Sequence, residues 1–293
     1  MIIEEIKPNG FCGGVKNAIK IINNNLHTFK KPVYMLGFLI HNKNIVEAFK
    51  NKGIIICTGD PLEEINNIDT GTIIITAHGA PISVYLKAKE KGLDIVDTTC
   101  YNVSKIHNIV SKRINEGYDV YVIGNENHPE IKSILGINPN IKIYNNSITK
   151  NNKVFVCNQT TLNYKELNNT FNEIKKLCPN ALINNEVCSA TRERQEAVIK
   201  NANKFDLIII VGDKLSNNCK SLYEVALKQN VDAIKIESLN EIKNYDLSKY
   251  KRIGITSGAS TPKEYLQEIK NALENYDKNL IYKSSININD LLK

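Results

Sequence analysis

Apolar residues fall into short runs along the chain, and each run stops at a turn-forming residue. Three runs, 33–37, 119–124 and 207–212, end in glycine. Three others, 73–81, 154–161 and 253–262, end in polar turns rich in Gly, Ser, Thr and Pro. Between them the apolar positions take the three-and-four spacing of amphipathic helices, over 42–51, 81–91, 101–116, 162–177, 190–203, 221–229 and 262–276. Short apolar strands alternating with helices predict an α/β protein with parallel sheets covered by helices. In such sheets ligands bind beyond the carboxyl ends of the strands.

Cysteine positions divide this pattern into three. Cys12, Cys100 and Cys188 stand 88 residues apart, twice over. Each follows a short hydrophobic run (2–6, 95–96, and 181–183 with Val187) and precedes a helical pattern. Equal spacing at a recurring strand-to-helix turn predicts three similar lobes, 1–98, 99–187 and 188–293. Each cysteine follows a strand of the preceding lobe, so the first needs a strand from the third. The run 2–6 is therefore expected to complete the last lobe, and the tail 277–293 to pack over the first. Three convergent thiols without a fourth partner suggest a metal site with one open position. A helix start favours thiolate over thiol, through its unsatisfied N–H groups and macrodipole. Gly13-Gly14 would allow close backbone approach, and Thr98, Thr99 and Thr191 would place hydroxyls near the second and third cysteines.

Composition narrows the class. No apolar stretch approaches the ~20 residues of a membrane span, and the sequence from Met1 shows no targeting segment. Seven cysteines at long spacings, with no CxxC, do not read as a disulfide framework or a zinc ribbon. They suit a reducing compartment. Cys57, Cys157, Cys178 and Cys219 lie outside the 88-residue pattern and read as buried small hydrophobes. The net charge of +7 suits an anionic substrate or an acidic protein partner. No aromatic-interleaved basic stripe supports nucleic acid.

Polar residues at the expected strand tips form two chemical groups. Four residues past each glycine stand His41, His128 and Ser216; the polar turns carry His78, Thr160 and Ser260. His41, His78, Ser216, Asn218 and Ser260 are donors without a carboxylate among them, which suits a multiply charged anion such as a diphosphate. His128 and Glu130, with Gln159 and Thr160, pair an acid with a hydroxyl, which suits proton delivery. His27 and His107 lie inside helical patterns and read as surface residues.

Seven ordered motifs then coincide with one family. They are Asn9-Gly10-Phe11-Cys12-Gly13-Gly14-Val15, Ala77-His78-Gly79-Ala80-Pro81, Asp97-Thr98-Thr99-Cys100, His128-Pro129-Glu130, Gln159-Thr160-Thr161, the run from Cys188-Ser189-Ala190-Thr191 to Gln195, and Ser257-Gly258-Ala259-Ser260. Between Ile2 and about Tyr276 the chain resembles the 4-hydroxy-3-methylbut-2-enyl diphosphate reductase (LytB) family, the last step of the methylerythritol phosphate route to isoprenoids. The resemblance implies a pseudo-threefold fold around a [4Fe–4S] cluster held by Cys12, Cys100 and Cys188. The fourth iron would take the substrate's allylic hydroxyl, which two electrons and two protons remove as water. The products would be isopentenyl and dimethylallyl diphosphate. It further implies that His41, His78, Ser216, Asn217, Asn218 and Ser260 bind the diphosphate. Glu130 would supply the proton, and His128 and Thr160 would position the hydroxyl and the relay. A ferredoxin or flavodoxin-type protein would supply electrons. One motif departs: the family usually reads Asn-Ser-Ser-Asn where this chain has Leu215-Ser216-Asn217-Asn218. Asn217 thus replaces a hydroxyl, and Cys219 beside it has no assigned role. The residues themselves leave three alternatives open: an aconitase-type dehydratase, a non-catalytic cluster protein such as a redox sensor, and a zinc site with three thiolates and water.

Overall fold

A computed structural model describes residues 1–149, 153–277 and 279–292, and in it the apolar runs form short parallel strands. β1 (Ile2–Glu5) opens the chain. β2 (Val33–Leu36), β3 (Ile54–Cys57), β4 (Thr72–Ile75) and β5 (Asp94–Asp97) make one sheet in the order β3-β2-β4-β5. β6 (Asp119–Ile123), β7 (Lys142–Ile143), β8 (Val154–Asn158) and β9 (Leu182–Ile183) make a second in the order β7-β6-β8-β9. β10 (Leu207–Val211), β11 (Asp232–Ile236) and β12 (Arg252–Ser257) make the third, which β1 completes in the order β1-β12-β10-β11. The strand pairs are parallel throughout.

These three orders are the same order. An edge strand (β3, β7, β11) pairs with the strand that ends before a glycine (β2, β6, β10). Next comes the strand that ends at a polar turn (β4, β8, β12), and last the strand that leads to a cysteine (β5, β9, β1). The N-terminal run thus lies where the cyclic cysteine pattern requires it. β1 pairs with β12 from Ile2 opposite Arg252 to Glu5 opposite Ile255.

The strands in the middle of each sheet are apolar at successive positions because both faces are covered. Along β10, Leu207, Ile209 and Val211 join one core with Leu266, Ile269 and Leu273 of the helix Lys263–Glu274. Ile208 and Ile210 point the other way, to Val198, Leu222 and Val225 of the helices Ser189–Asn201 and Asn217–Leu227. β8 divides likewise: Phe155 and Cys157 face one core, Val154 and Val156 the other. Gly212, after β10, has φ +147°, and a Cβ there would lie 2.5 Å from Cys219 Sγ, so the turn needs glycine.

Two compact units result. One comprises Met1–Lys16, Ile40–Ala48 and Ser189–Lys293 and contains the third sheet; the other comprises Asn17–Leu39 and Phe49–Cys188 and contains the first two. The tail departs from expectation. Tyr276 and Tyr282 pack on the β1-β12-β10-β11 core, and Ser285 N–H donates to Glu268 Oε1 at 2.6 Å. These contacts belong to the third sheet, because the tail follows directly on the helix Lys263–Glu274 and Tyr282 joins its core. Lys278 and Lys293 lie outside the described residues. Among the described residues, no helix is long and apolar enough to cross a membrane.

Candidate functional site

The three cysteine turns share a hydrogen bond as well as a spacing. Cys12 N–H donates to Ala259 O, Cys100 N–H to Ala77 O and Cys188 N–H to Thr160 O, each at 3.0 Å. The acceptor always lies two residues beyond the end of the neighbouring strand: Ser257 of β12, Ile75 of β4, Asn158 of β8. A helix begins directly after each cysteine, over Gly13–Asn25, Tyr101–Asn115 and Ser189–Asn201. Each cysteine is therefore fixed by its backbone to the turn that carries His78, Thr160 or Ser260.

The seven thiols separate by environment. Cys12, Cys100 and Cys188 are half-buried and the other four are buried. Val15 N–H approaches Cys12 Sγ at 3.5 Å, and Asn102 Nδ2 donates to Cys188 Sγ at 3.2 Å. Such donors favour thiolate. Burial pushes Cys57 and Cys219 up to about 11 and Cys157 up to about 12. A Cβ built on Gly13 would meet no atom within 4 Å, so there is room beside the Cys12 turn. The donor set and this space fit a thiolate-held cluster. The threonine hydroxyls beside the cysteines have partners of their own. Thr98 donates to Ile75 O at 2.6 Å, Thr99 to Asp97 at 2.5 Å, and Thr191 accepts from Asn218 Nδ2 at 3.0 Å.

In the unit that contains the third sheet, His41, Ser216, Asn218 and Ser260 lie on adjoining turns. Ser260 Oγ donates to His41 O at 3.2 Å, and Asn42 Nδ2 donates to Ser260 O at 3.1 Å. Ser216 is the N-cap of the helix Asn217–Leu227, accepting from Cys219 N–H at 3.4 Å. A Cβ on Gly258 would lie 3.7 Å from Ser216 Oγ, which brings the Ser216 and Ser260 turns together. Asn218 is buried, and its Oδ1 has no partner among the described residues. Asn217 is the first residue of the helix. Burial lowers the His41 pKa, partly opposed by the charge of Asp213. The turn thus offers neutral donors at a helix start, where an anion is favoured.

The other unit holds the acid. His128 caps the helix Pro129–Leu135, its Nδ1 accepting from Glu130 N–H at 3.2 Å. The neutral ring then carries its proton on Nε2. Glu130 is 2% exposed. Its Oε1 accepts from Thr160 N–H at 2.7 Å, and its Oε2 lies 2.9 Å from Thr160 Oγ1. Desolvation raises the carboxyl pKa to about 7, against a smaller opposing effect of the Thr160 hydrogen bonds. The His78 and His128 rings meet edge to face, with centroids 5.3 Å apart. A histidine donor, a second histidine and a buried acid that is half-protonated near neutrality thus adjoin one another.

Comparison with known proteins decides the family. The family model described as "LytB protein" matches residues 3–274. The chain belongs to the LytB family. Among its relatives is the 4-hydroxy-3-methylbut-2-enyl diphosphate reductase of Bacillus thuringiensis (strain Al Hakam), 39% identical over 291 residues, covering 94% of this chain and 91% of the relative. Among solved structures, the E-1-hydroxy-2-methyl-but-2-enyl-4-diphosphate reductase of Plasmodium falciparum superposes with a TM-score of 0.88 at 30% identity, over 95% of this chain and 89% of that one. A second, the (E)-4-hydroxy-3-methyl-but-2-enyl diphosphate reductase described as the terminal enzyme of the non-mevalonate pathway, gives 0.66 at 31% identity, over 94% and 100%.

Several LytB site neighbours escape a reading of the sequence. Asn42 is buried and accepts at Oδ1 from Asn44 and Ile45 N–H, both at 3.1 Å, as well as holding Ser260. One signal for it exists: an Asn directly before a helical pattern is a cap. Asn102, on the helix after Cys100, reaches the sulfur of Cys188. His107 is not the surface residue expected. It is half-buried, bonded to Ser133, and burial lowers its pKa. His27 is exposed, as a surface residue should be.

Proposed function

We propose that this chain reduces 4-hydroxy-3-methylbut-2-enyl diphosphate to isopentenyl and dimethylallyl diphosphate, using a [4Fe–4S] cluster held by Cys12, Cys100 and Cys188. Membership of the LytB family supports the reaction. The observation that carries the mechanism is the buried Glu130 clamped by Thr160. When bound, the cluster supplies electrons and a Lewis-acidic iron. Overall, the substrate's carbon–oxygen bond is replaced by a carbon–hydrogen bond, and two electrons and two protons yield the product and water.

Glu130 holds the proton for the departing oxygen. In its acid form Oε2–H donates to Thr160 Oγ1, while Thr160 N–H stays on Oε1. The Thr160 hydroxyl proton is then free to pass to the substrate oxygen as the Glu130 proton replaces it. No heavy atom has to move. His128, held by the cap bond at Nδ1, steadies the same hydroxyl. His41, His78, Ser216, Asn217, Asn218 and Ser260 take the diphosphate, which binds far from the reacting carbon. Asn217 donates an amide N–H where a hydroxyl is usual.

Two outcomes follow for binding and pH. His41→Ala and His78→Ala should each weaken inorganic diphosphate about ten- to a hundredfold, the effect of one charge-assisted bond. Calorimetry in buffers of differing ionisation heat should also show proton uptake, because an anion favours the charged His41 that burial disfavours. Unchanged affinity in both variants would place the anion elsewhere. With Glu130 titrating at about 7, single-turnover rates should be flat in mild acid and fall about tenfold per pH unit well above neutrality. The stability effect has the same sign. The folded state keeps a proton that the unfolded chain releases near 4.5, so Glu130's contribution to stability declines as pH rises from there through 7. A rate that rises with pH over that range would contradict the assignment.

Electrons come from a one-electron donor of the ferredoxin or flavodoxin type, in the reducing interior of a bacterium or plastid-type organelle. The net charge of +7 suits an acidic donor. The overall test is anaerobic: substrate added to the reduced, reconstituted protein should reoxidise the cluster absorption. Unchanged absorption would count against the reading.

A further inference from the structure

We propose that Ser133 and His107 form a positioning pair that fixes the His78 turn to the helix carrying Glu130. Ser133 is fully buried on the helix Pro129–Leu135. Its hydroxyl lies 2.7 Å from Glu130 O, 3.0 Å from His78 O and 2.9 Å from His107 Nε2. One side chain therefore ties together three segments: the acid's helix, the turn after β4, and the helix that starts after Cys100.

Hydrogen counting fixes the direction. Serine has one proton to give and can accept at its oxygen. The two carbonyls can only accept, so the serine proton belongs to them. His107 must then donate from Nε2, as the Nε2–H tautomer. Burial keeps its ring neutral by lowering its pKa, against the smaller pull of Asp97. Gly79 supplies independent support. Its φ is +76°, and a Cβ there would lie 2.9 Å from His107 Cε1 and 3.3 Å from Ser133 Oγ. The turn passes too close to the pair for a side chain, so its position depends on these two residues.

The consequence is for alignment. The Ser133 hydroxyl reaches the backbone of both His78 and Glu130 without touching substrate. The His78 ring in turn rests against His128, which caps the Glu130 helix. Loosening the pair should let the anion donor and the acid drift relative to each other, and small misplacements are costly in rate.

This inference rests on the proposed roles of His78 and Glu130, which the His78→Ala and Glu130→Gln variants test separately. The experiment compares Ser133→Ala, His107→Leu, His107→Gln and the double variant Ser133→Ala/His107→Leu in the reconstituted enzyme. Iron content should match wild type in all four. Ser133→Ala and His107→Leu should each lower the single-turnover rate about tenfold and weaken inorganic diphosphate about three- to tenfold. His107→Gln, whose amide can donate in place of Nε2–H, should recover most of both losses. The double variant should be no slower than the slower single one, because the two residues act as a unit. If Ser133→Ala fails to fold, the two His107 variants decide. Wild-type rate and affinity in His107→Leu, or a His107→Gln as impaired as His107→Leu, would overturn the proposal. An inactive wild type would instead sink the reading of the reaction.

Discussion

Glu130→Gln should carry a full complement of iron, bind diphosphate normally, and stall before the carbon–oxygen bond breaks. The variant is a close mimic of the acid form. Its Oε1 can still accept from Thr160 N–H, and its amide can donate to Thr160 Oγ1, reproducing the two bonds of 2.7 and 2.9 Å. Only the transferable proton is lost. Removing one general acid costs about 10²–10⁴ in rate. The measurement is single turnover with a pre-reduced cluster, following loss of water from the substrate. A rate near wild type would remove Glu130 from the mechanism and leave His128 or a phosphate oxygen as the proton source. Loss of iron would instead give Glu130 a structural role.

Serine in place of Cys12, Cys100 or Cys188 should abolish most cluster binding, while alanine at Cys57, Cys157, Cys178 or Cys219 should not. The first three are half-buried and follow the same hydrogen-bond pattern at helix starts, and Cys12 and Cys188 have N–H donors beside them. The others fill apolar cores: Cys157 sits among Ile106, Val120 and Phe155, and Cys219 closes against Gly212. Their alanine variants should lose stability through the small cavity left behind, with iron retained. Iron and sulfide counts after anaerobic reconstitution decide the matter. Full occupancy in any of the first three variants, or complete loss in any of the last four, would break the assignment.

Much of this arrangement is legible in the sequence because repetition is legible. Central strands such as β8 and β10, buried on both faces, carry apolar runs over Val154–Cys157 and Leu207–Val211, and they stand out. The edge strands β7 and β11 do not. Each has a single neighbour, β7 has only the two residues Lys142–Ile143, and β11 reads Asp-Ala-Ile-Lys-Ile with its first residue exposed. Short, half-covered strands need no continuous apolar run. Cys12, Cys100, Cys188 and the pairing of Glu130 with Thr160 were accessible from spacing and chemistry. His107 was not, since its partner Ser133 lies 26 residues away and nothing in a helical pattern announces a buried polar contact. Asn42 was hidden by composition: asparagine is so common in this chain that one more carries little information. Tyr282 of the tail could pack on any apolar helix, and only the fold shows it on the third sheet.

The central claim is a reduction, and electron counting tests it most directly. Reconstituted protein is titrated anaerobically with a one-electron donor in the presence of 4-hydroxy-3-methylbut-2-enyl diphosphate, and electrons consumed are compared with products formed. The account predicts two electrons for each molecule of isopentenyl or dimethylallyl diphosphate released. Conversion of substrate with no net electron uptake would contradict it and favour a dehydratase, and a cluster that cycles without changing the substrate would favour a redox sensor.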